Sequence, residues 1–278
     1  MSEMGADDAA KIERRNLLAR RFRETQIYLQ SVKAGHPNIC ALEGYAEFEE
    51  DAWDEDENPG LTNVVQYFEL CDAGSLAMLE EQFKAKGALL PEAFLWHVFE
   101  QLMDALAFMH KEHPDYANDP EVLKRPVMVH HDLKPANIFL KWNEGDKSKY
   151  PDVKVGDLGN VKYLPLGGEL VGNESNGMGA DPPEWPLYSA KDDVWSAGTV
   201  MYKLATGKVQ KKTDYSKTTN NIPDLPLHIS RALSDMIKRA LVSDYKQRPG
   251  SGELYMAIKV FRAQAGNMLF RELPDWCV

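Results

Sequence analysis

The chain has 278 residues, 44% hydrophobic and 27% charged, with 32 Lys+Arg against 43 Asp+Glu and a formal net charge of -11 at pH 7. Such a chain buries a sizeable core without disulfides or structural metals, which excludes disorder over most of its length. The negative balance argues against general affinity for nucleic acid or an anionic membrane, because phosphates are repelled unless a local basic patch intervenes, and it favours a basic protein partner.

From Asp7 to Val32 the apolar residues Ile12, Leu17, Leu18, Phe22, Ile27, Tyr28 and Val32 recur among charges at helical spacing, which predicts an amphipathic helix ended by His36-Pro37-Asn38. Two strand-like stretches follow, residues 39–48 and 61–70, joined by the acidic run from Glu49 to Gly60, which reads as a solvated hairpin loop. Cys71 to Ser75 forms a turn in which Ser75 caps a short helix. Pro91 to His110 carries a broad apolar face built on Phe94, Leu95, Val98, Phe99, Leu102, Leu106 and Met109, a buried core helix. Lys111 to Pro126 dissolves into Pro, Asp, Asn and Lys and reads as an inserted surface loop. Short strands are expected at Val127–Val129, Ile138–Leu140 and Val153–Val155, with a polar insertion from Asn143 to Asp152. Helices are expected from Asp192 to Thr206, stopped by Gly207, and over about Pro226–Val242 and Gly252–Gly266, so the second half is mainly helical.

Cys40, Cys71 and Cys277 are odd in number and far apart, which suggests neither a disulfide framework nor a zinc site and fits a reducing compartment, cytoplasmic or nuclear. No segment approaches the uninterrupted apolar length of a membrane span, and residues 1–21 are mixed polar and charged.

Phosphoryl transfer requires a carboxylate near the attacking hydroxyl, a cation beside the moving phosphate, and oxygen ligands that hold magnesium against the nucleotide. Asp132, Lys134, Asn137 and Asp157 are residues of these types. Alone, Asp-x-Lys-x-x-Asn is a weak signal, because Asp and Asn serve many loops and caps. Here it follows a long apolar helix and a short strand, precedes Ile138-Phe139-Leu140, and is followed by Val155-Gly156-Asp157-Leu158-Gly159.

With His130-His131-Asp132-Leu133-Lys134-Pro135-Ala136-Asn137 as catalytic loop and Asp157-Leu158-Gly159 as metal-binding segment, the chain resembles the eukaryotic serine/threonine protein kinases. Phe68 to Leu76 looks like the hinge that borders adenine, Pro182-Pro183-Glu184 like the Ala-Pro-Glu motif, and Asp193 to Gly198 like the start of the buried central helix. Asn137-Ile138-Phe139-Leu140 leans towards NIMA-related and fungal relatives. The resemblance implies an α+β kinase-like fold divided into a small lobe, residues 1–70, and a mainly helical large lobe, residues 71–278. It implies ATP and Mg2+ as cofactors and a protein hydroxyl as acceptor. Asp132 would orient that hydroxyl and take its proton, Lys134 would steady the transferred phosphate, and Asn137 with Asp157 would hold magnesium. Phe68 would be the gatekeeper, Glu69 and Cys71 would offer backbone hydrogen bonds, Arg248 would pair with Glu184, and Asp193 would brace the catalytic-loop backbone.

The sequence also departs from that pattern. No glycine-rich strand pair or lysine strand is evident, and only twenty-three residues precede Glu24, the most plausible pairing carboxylate. Lys11 only superficially echoes the missing lysine. The small lobe is therefore expected to lack its first three strands, leaving a helix and a two-strand hairpin whose free edge invites a partner strand. His131 stands where the family has Arg, Leu158 replaces Phe, and the customary Gly-Thr is missing from Ser175 to Ala180. Two readings follow: an ATP-dependent serine/threonine kinase, or a pseudokinase or truncated scaffold with weak or no nucleotide binding. Small-molecule phosphotransferases share the Asp and Asn, but Lys134 and the Asp193 helix point away from them.

Overall fold

A computed structural model of the chain describes residues 22–32, 35–49, 62–143, 149–165, 168–172, 181–209, 222–265 and 273–277. The expected helix start at Asp7 with Lys11, the acidic run beyond Glu49, and Ser175 to Ala180 lie outside the described residues. Helix α1 spans 22–31 and buries Ile27 and Tyr28, with Val32 buried just beyond its end, while Phe22 and Leu29 face solvent. It supports an antiparallel hairpin of β1 (Leu42–Glu49) and β2 (Thr62–Phe68), in register at Tyr45 with Gln66 and irregular between Leu42 and Gly44. Alternation is clear in β2, where Val64 is buried and Val65 and Tyr67 are exposed.

Two strands alone are marginal in water, and the rest of the molecule holds these in place. Gln66 Nε2 donates to Thr25 Oγ1 on α1 at 3.1 Å. Before the hairpin, Cys40 N donates to Val155 O (2.8 Å) and Val155 N to Asn38 O (2.9 Å), a short parallel bridge that ties the small lobe to the large one.

The large lobe begins with α2 (Leu76–Ala85), capped by Ser75 Oγ accepting from Met78 N, and α3 (Glu92–His110). Phe94, Trp96, Phe99, Leu102, Met103 and Phe108 of α3 are fully buried, which makes this helix the centre of the core. The expected surface loop after it is instead folded. A 3-10 turn (Pro114–Tyr116) and helix α4 (Pro120–Lys124) form because His113 Nδ1 accepts from Asp115 N and Asp119 Oδ1 from Glu121 N. Each cap precedes a proline, whose fixed φ suits a first helical position, so residues that read as loop punctuation are helix starts. Arg125 closes the insert by donating to the carbonyls of Phe108 and Met109 and lying over the Phe108 ring at 4.6 Å.

Strands β3 (Met128–Val129), β4 (Ile138–Lys141), β5 (Asp152–Val155), β6 (Lys162–Tyr163), β7 (Leu170–Val171) and β8 (Leu187–Tyr188) pair as three antiparallel ladders, β3 with β6, β4 with β5 and β7 with β8. Helices α5 (Ala190–Thr206), α6 (Arg231–Ala240) and α7 (Ser251–Ala265) complete the lobe. Gly207 ends α5 at φ 68, as its sequence predicts, and the helix starts two residues before Asp192 because Ser189 caps it through Lys191 N. Helix α6 is shorter than expected because Ser230 caps it through Leu233 N and starts it late. Gly198 lets α5 approach α6 closely, since a Cβ there would lie 2.9 Å from Ala240 Cβ. No helix among the described residues is long and apolar enough to cross a membrane.

Two histidines make the core acid-sensitive. Burial pushes His97, whose Nε2 meets Pro151 O at 2.9 Å, and His36 down to about 4. Both take up protons more readily when unfolded, with an ordinary histidine value near 6.5. Their contribution to stability is therefore present above that value and is lost as pH falls from about 6.5 to about 4, at roughly 1.4 kcal/mol per pH unit for each. Urea midpoints measured across this window should fall with acid, and His97→Gln should flatten the slope by about half.

Candidate active site

The first turn of α5 organises the site. Asp193, wholly buried, accepts from His130 N at 2.6 Å and His131 N at 3.0 Å, and its Oδ2 meets His110 Nε2 at 3.0 Å. His110 is in turn held by Ser251 Oγ at 2.8 Å. Burial alone would raise the Asp193 carboxyl, but the hydrogen bond and charge of His110, with His130 and the His131 N–H, outweigh it and hold the group below the usual carboxylate range. This ionised clamp fixes His131 at φ 65, a left-handed conformation uncommon for a residue with a side chain. The His131 ring is buried against Tyr188, ring centroids 4.4 Å apart.

The loop then turns back on itself. His130 Nδ1 accepts from Asp132 N (3.3 Å), so its Nε2 carries the proton donated to Gly156 O (3.0 Å), linking the loop to the end of β5. Asp132 is nearly buried, and its carboxylate receives Lys134 Nζ at 3.0 and 2.8 Å, Asn160 Nδ2 at 3.0 Å and Asn137 Nδ2 at 3.3 Å. Asn137 Nδ2 also donates to Asp132 O at 3.0 Å, and Gly156 N to Asn137 O at 3.0 Å. Asp132, Lys134 and Asn137 are thus brought together next to Gly156-Asp157.

Asp157 also sits in the left-handed region, at φ 59 and ψ 65. Beyond it Leu158 is fully buried and its N–H donates to Glu24 Oε1 at 2.9 Å. Glu24, proposed from sequence as the partner of a lysine, here secures the segment that carries Asp157. Leu158 fills an apolar site at a cost in size only.

Between the lobes lies a cleft of ≈ 490 Å³ lined by Glu24, Tyr28, Cys40, Phe68 to Cys71, Phe139, Gly156 and Asp157. Its volume is in the range of small-molecule and cofactor sites. Phe68 meets Tyr28 edge-on at 5.3 Å, closing the back wall. The Glu69 side chain is occupied structurally: Oε1 accepts from Ala41 N (2.8 Å) and pairs with Lys154 (3.1 Å), and Oε2 pairs with Lys141 (2.7 Å). Burial opposes its ionisation, and the Lys141, Ala41 and Lys154 bonds overcome that and keep it below the usual range. Any contact from Glu69 to a ligand therefore comes from backbone.

Below the loop, Arg248 Nη1 and Nη2 reach Glu184 Oε1 and Oε2 at 2.6 and 2.9 Å, as the sequence predicts, in a fully buried pair. His110, Ser251 and Asn160 were not legible from the sequence. Only the polar residue directly after Asp157-Leu158-Gly159 could have drawn attention to Asn160.

His36, Asp104 and His113 also cluster closely enough to suggest metal ligands. Their hydrogen bonds say otherwise. Both Nδ1 atoms accept backbone N–H groups, from Asn38 at 3.2 Å and Asp115 at 3.1 Å, so both Nε2 atoms carry protons. The cluster is a lock between the His36 turn and the insert, with His113 Nε2 donating to Asp104 at 2.5 Å. A metal-bound histidine needs the opposite arrangement, its second nitrogen donating outward.

The α+β fold with this loop, cleft and buried clamp defines a kinase-like architecture. The family model described as protein kinase domain matches residues 7–258. The chain is 28% identical over 250 residues to serine/threonine-protein kinase Nek4 of Mus musculus, covering 86% of this chain and 27% of that protein. It is 27% identical over 194 residues to the probable serine/threonine-protein kinase nek2 of Dictyostelium discoideum (67% and 42%), and 29% over 201 residues to serine/threonine-protein kinase unc-51 of Caenorhabditis elegans (67% and 21%). The chain belongs to the protein kinase domain family, and it spans less than half the length of these relatives. Two of the three are Nek kinases, consistent with the NIMA-related character of Asn137 to Leu140.

Proposed function

We propose that the chain transfers the γ-phosphate of ATP to a serine or threonine hydroxyl of a protein. The observation that carries this reading is the convergence of Asp132, Lys134 and Asn137 beside Gly156-Asp157 at the wall of a nucleotide-sized cleft. Mg·ATP supplies the transferable group and neutralises its developing charge. Asp132, steadied by Lys134 and Asn160, orients the acceptor hydroxyl and takes its proton as the oxygen–phosphorus bond forms. Lys134 would steady the transferred phosphate, and Asn137 and Asp157 would hold the metal. Phe68 backs the adenine, and the backbone of Glu69 and Cys71 hydrogen-bonds its edge.

In this reading α1 and the hairpin of β1 and β2 belong to the small lobe, residues 1–70, and residues 71–278 form the large lobe. Among the described residues β1 pairs only with β2, so its other edge offers a place for a partner strand. The acceptor protein is basic, to suit a chain of net charge -11, and is met in the cytoplasm or nucleus.

Calorimetry tests the cleft directly. The intact chain should bind ATP in a magnesium-dependent way, and Asp157→Asn should weaken that binding about tenfold or more, the loss of one charged metal ligand. An intact, folded chain without magnesium-dependent ATP binding would replace this reading with the pseudokinase scaffold.

A further inference from the structure

Cys40 and Cys71 stand on either side of the hairpin in sequence and return to the same cleft wall in the fold. The antiparallel pairing runs outward until Glu69 N donates to Ala41 O at 2.9 Å. The chains then part, Cys40 N turning to Val155 O at 2.8 Å and Cys71 O accepting from Gly74 N at 3.1 Å. Across that divergence both side chains line the same cleft, and neither is in a disulfide.

The thiols are not equivalent. Cys40 is buried, and the neighbouring Cys71 thiol, followed by burial, pushes its thiol up. Cys71 is partly exposed, and Cys40, with the charges of Lys154 and Lys141, holds its thiol down against burial and the Glu69 charge. Thiolate is the reactive form, so Cys71 meets an oxidant first and Cys40 is placed to resolve it.

We propose that this pair is a redox switch of the cleft: a hydroperoxide oxidises Cys71, and Cys40 closes a reversible disulfide that obstructs nucleotide. The Cys71 sulfur attacks the peroxide O–O bond, gaining an S–O bond and releasing one water or alcohol. The Cys40 sulfur then displaces hydroxide from that sulfenic acid, and its own proton leaves with the hydroxide as water. Two thiols give up two electrons and one peroxide takes them; a dithiol reductant reverses the step. A disulfide brings its Cβ atoms to about 3.8 Å. That draws Cys71 onto Cys40, whose Cβ is 3.4 Å from where a side chain on Gly156 would begin. The obstruction rests on the reading of Glu69 to Cys71 as the adenine border, whereas the disulfide does not.

The test uses the full chain, titrated with hydrogen peroxide, alkylated, digested and mapped by mass spectrometry, with a fluorescent ATP analogue and magnesium read in parallel. A Cys40–Cys71 peptide should appear with the loss of two thiols, and analogue affinity should fall about tenfold or more and return with dithiothreitol. Cys40→Ser should stop at a Cys71 sulfenic acid trapped by dimedone, and Cys277→Ser should change neither readout. Cys71 left unoxidised, or carried to sulfinic acid without a linked peptide, overturns the pair. A linked peptide with unchanged analogue binding overturns the switch. A reduced chain that binds no analogue yet forms the linked peptide upholds the pair and overturns the nucleotide reading of the cleft.

Discussion

Asp132→Asn should lower phosphate transfer about a thousandfold, the scale of a lost general base together with misplaced acceptor. The substitution keeps the size of the side chain and one acceptor oxygen for Asn160 Nδ2, which now lies at 3.0 Å, so the loop should stay folded. It removes the charge that binds Lys134 Nζ at 2.8 Å and the oxygen proposed to take the hydroxyl proton. ATP affinity should change little, because the adenine wall and Asp157 are untouched. The separation is measurable as a collapse of the initial transfer rate beside nearly unchanged calorimetric binding. A rate loss below about tenfold would remove Asp132 from the role of base.

Arg248→Ala should have the largest effect on stability. Its guanidinium holds Glu184 with two bonds and donates to Val242 O (2.9 Å) and Lys191 O (2.8 Å) while lying over Trp195 at 4.9 Å. Removing it strands a buried Glu184 beside Asp192, whose carboxyl is already pushed up to about 8 by burial and then by Glu184 and Asp193. Breaking one side of a buried pair costs about 3–5 kcal/mol, a large share of the roughly 5–15 kcal/mol that holds a domain folded. Urea unfolding at neutral pH reads the loss. Arg248→Lys should fall between the two, since lysine keeps the charge but not the planar fork.

How legible these features were depended on their distance in sequence. Helices α3 and α5 follow directly from apolar periodicity, Pro91 and Gly207, because those signals are local. The Glu184–Arg248 pair and the Asp193 clamp came through the resemblance, on motifs that lie far apart in the chain. The insert between His110 and Met128 was misread, since its prolines punctuate loops and open helices alike, and only the caps at His113 and Asp119 decide between them. At the site, Asp132, Lys134 and Asn137 share one short segment. Their supports, Asn160, His110, Ser251 and Glu24, come from elements that only packing brings near, and the return of Cys40 and Cys71 to one cleft wall is hidden for the same reason.

The His131 substitution illustrates a second limit. Sequence identifies the missing arginine but not the environment of its replacement. In the structure the clamp on the His131 backbone is intact while the ring is packed on Tyr188, so the loop geometry is retained without the arginine. Activity should accordingly not depend on phosphorylation of the activation segment.

The most direct measurement is transfer of labelled γ-phosphate from Mg·ATP by the purified intact chain to a basic protein substrate, followed by phosphoamino-acid analysis. The structure predicts label on serine or threonine that requires magnesium and disappears with Asp132→Asn. A folded chain that binds Mg·ATP yet transfers no label, or labels equally with Asp132→Asn, would contradict it.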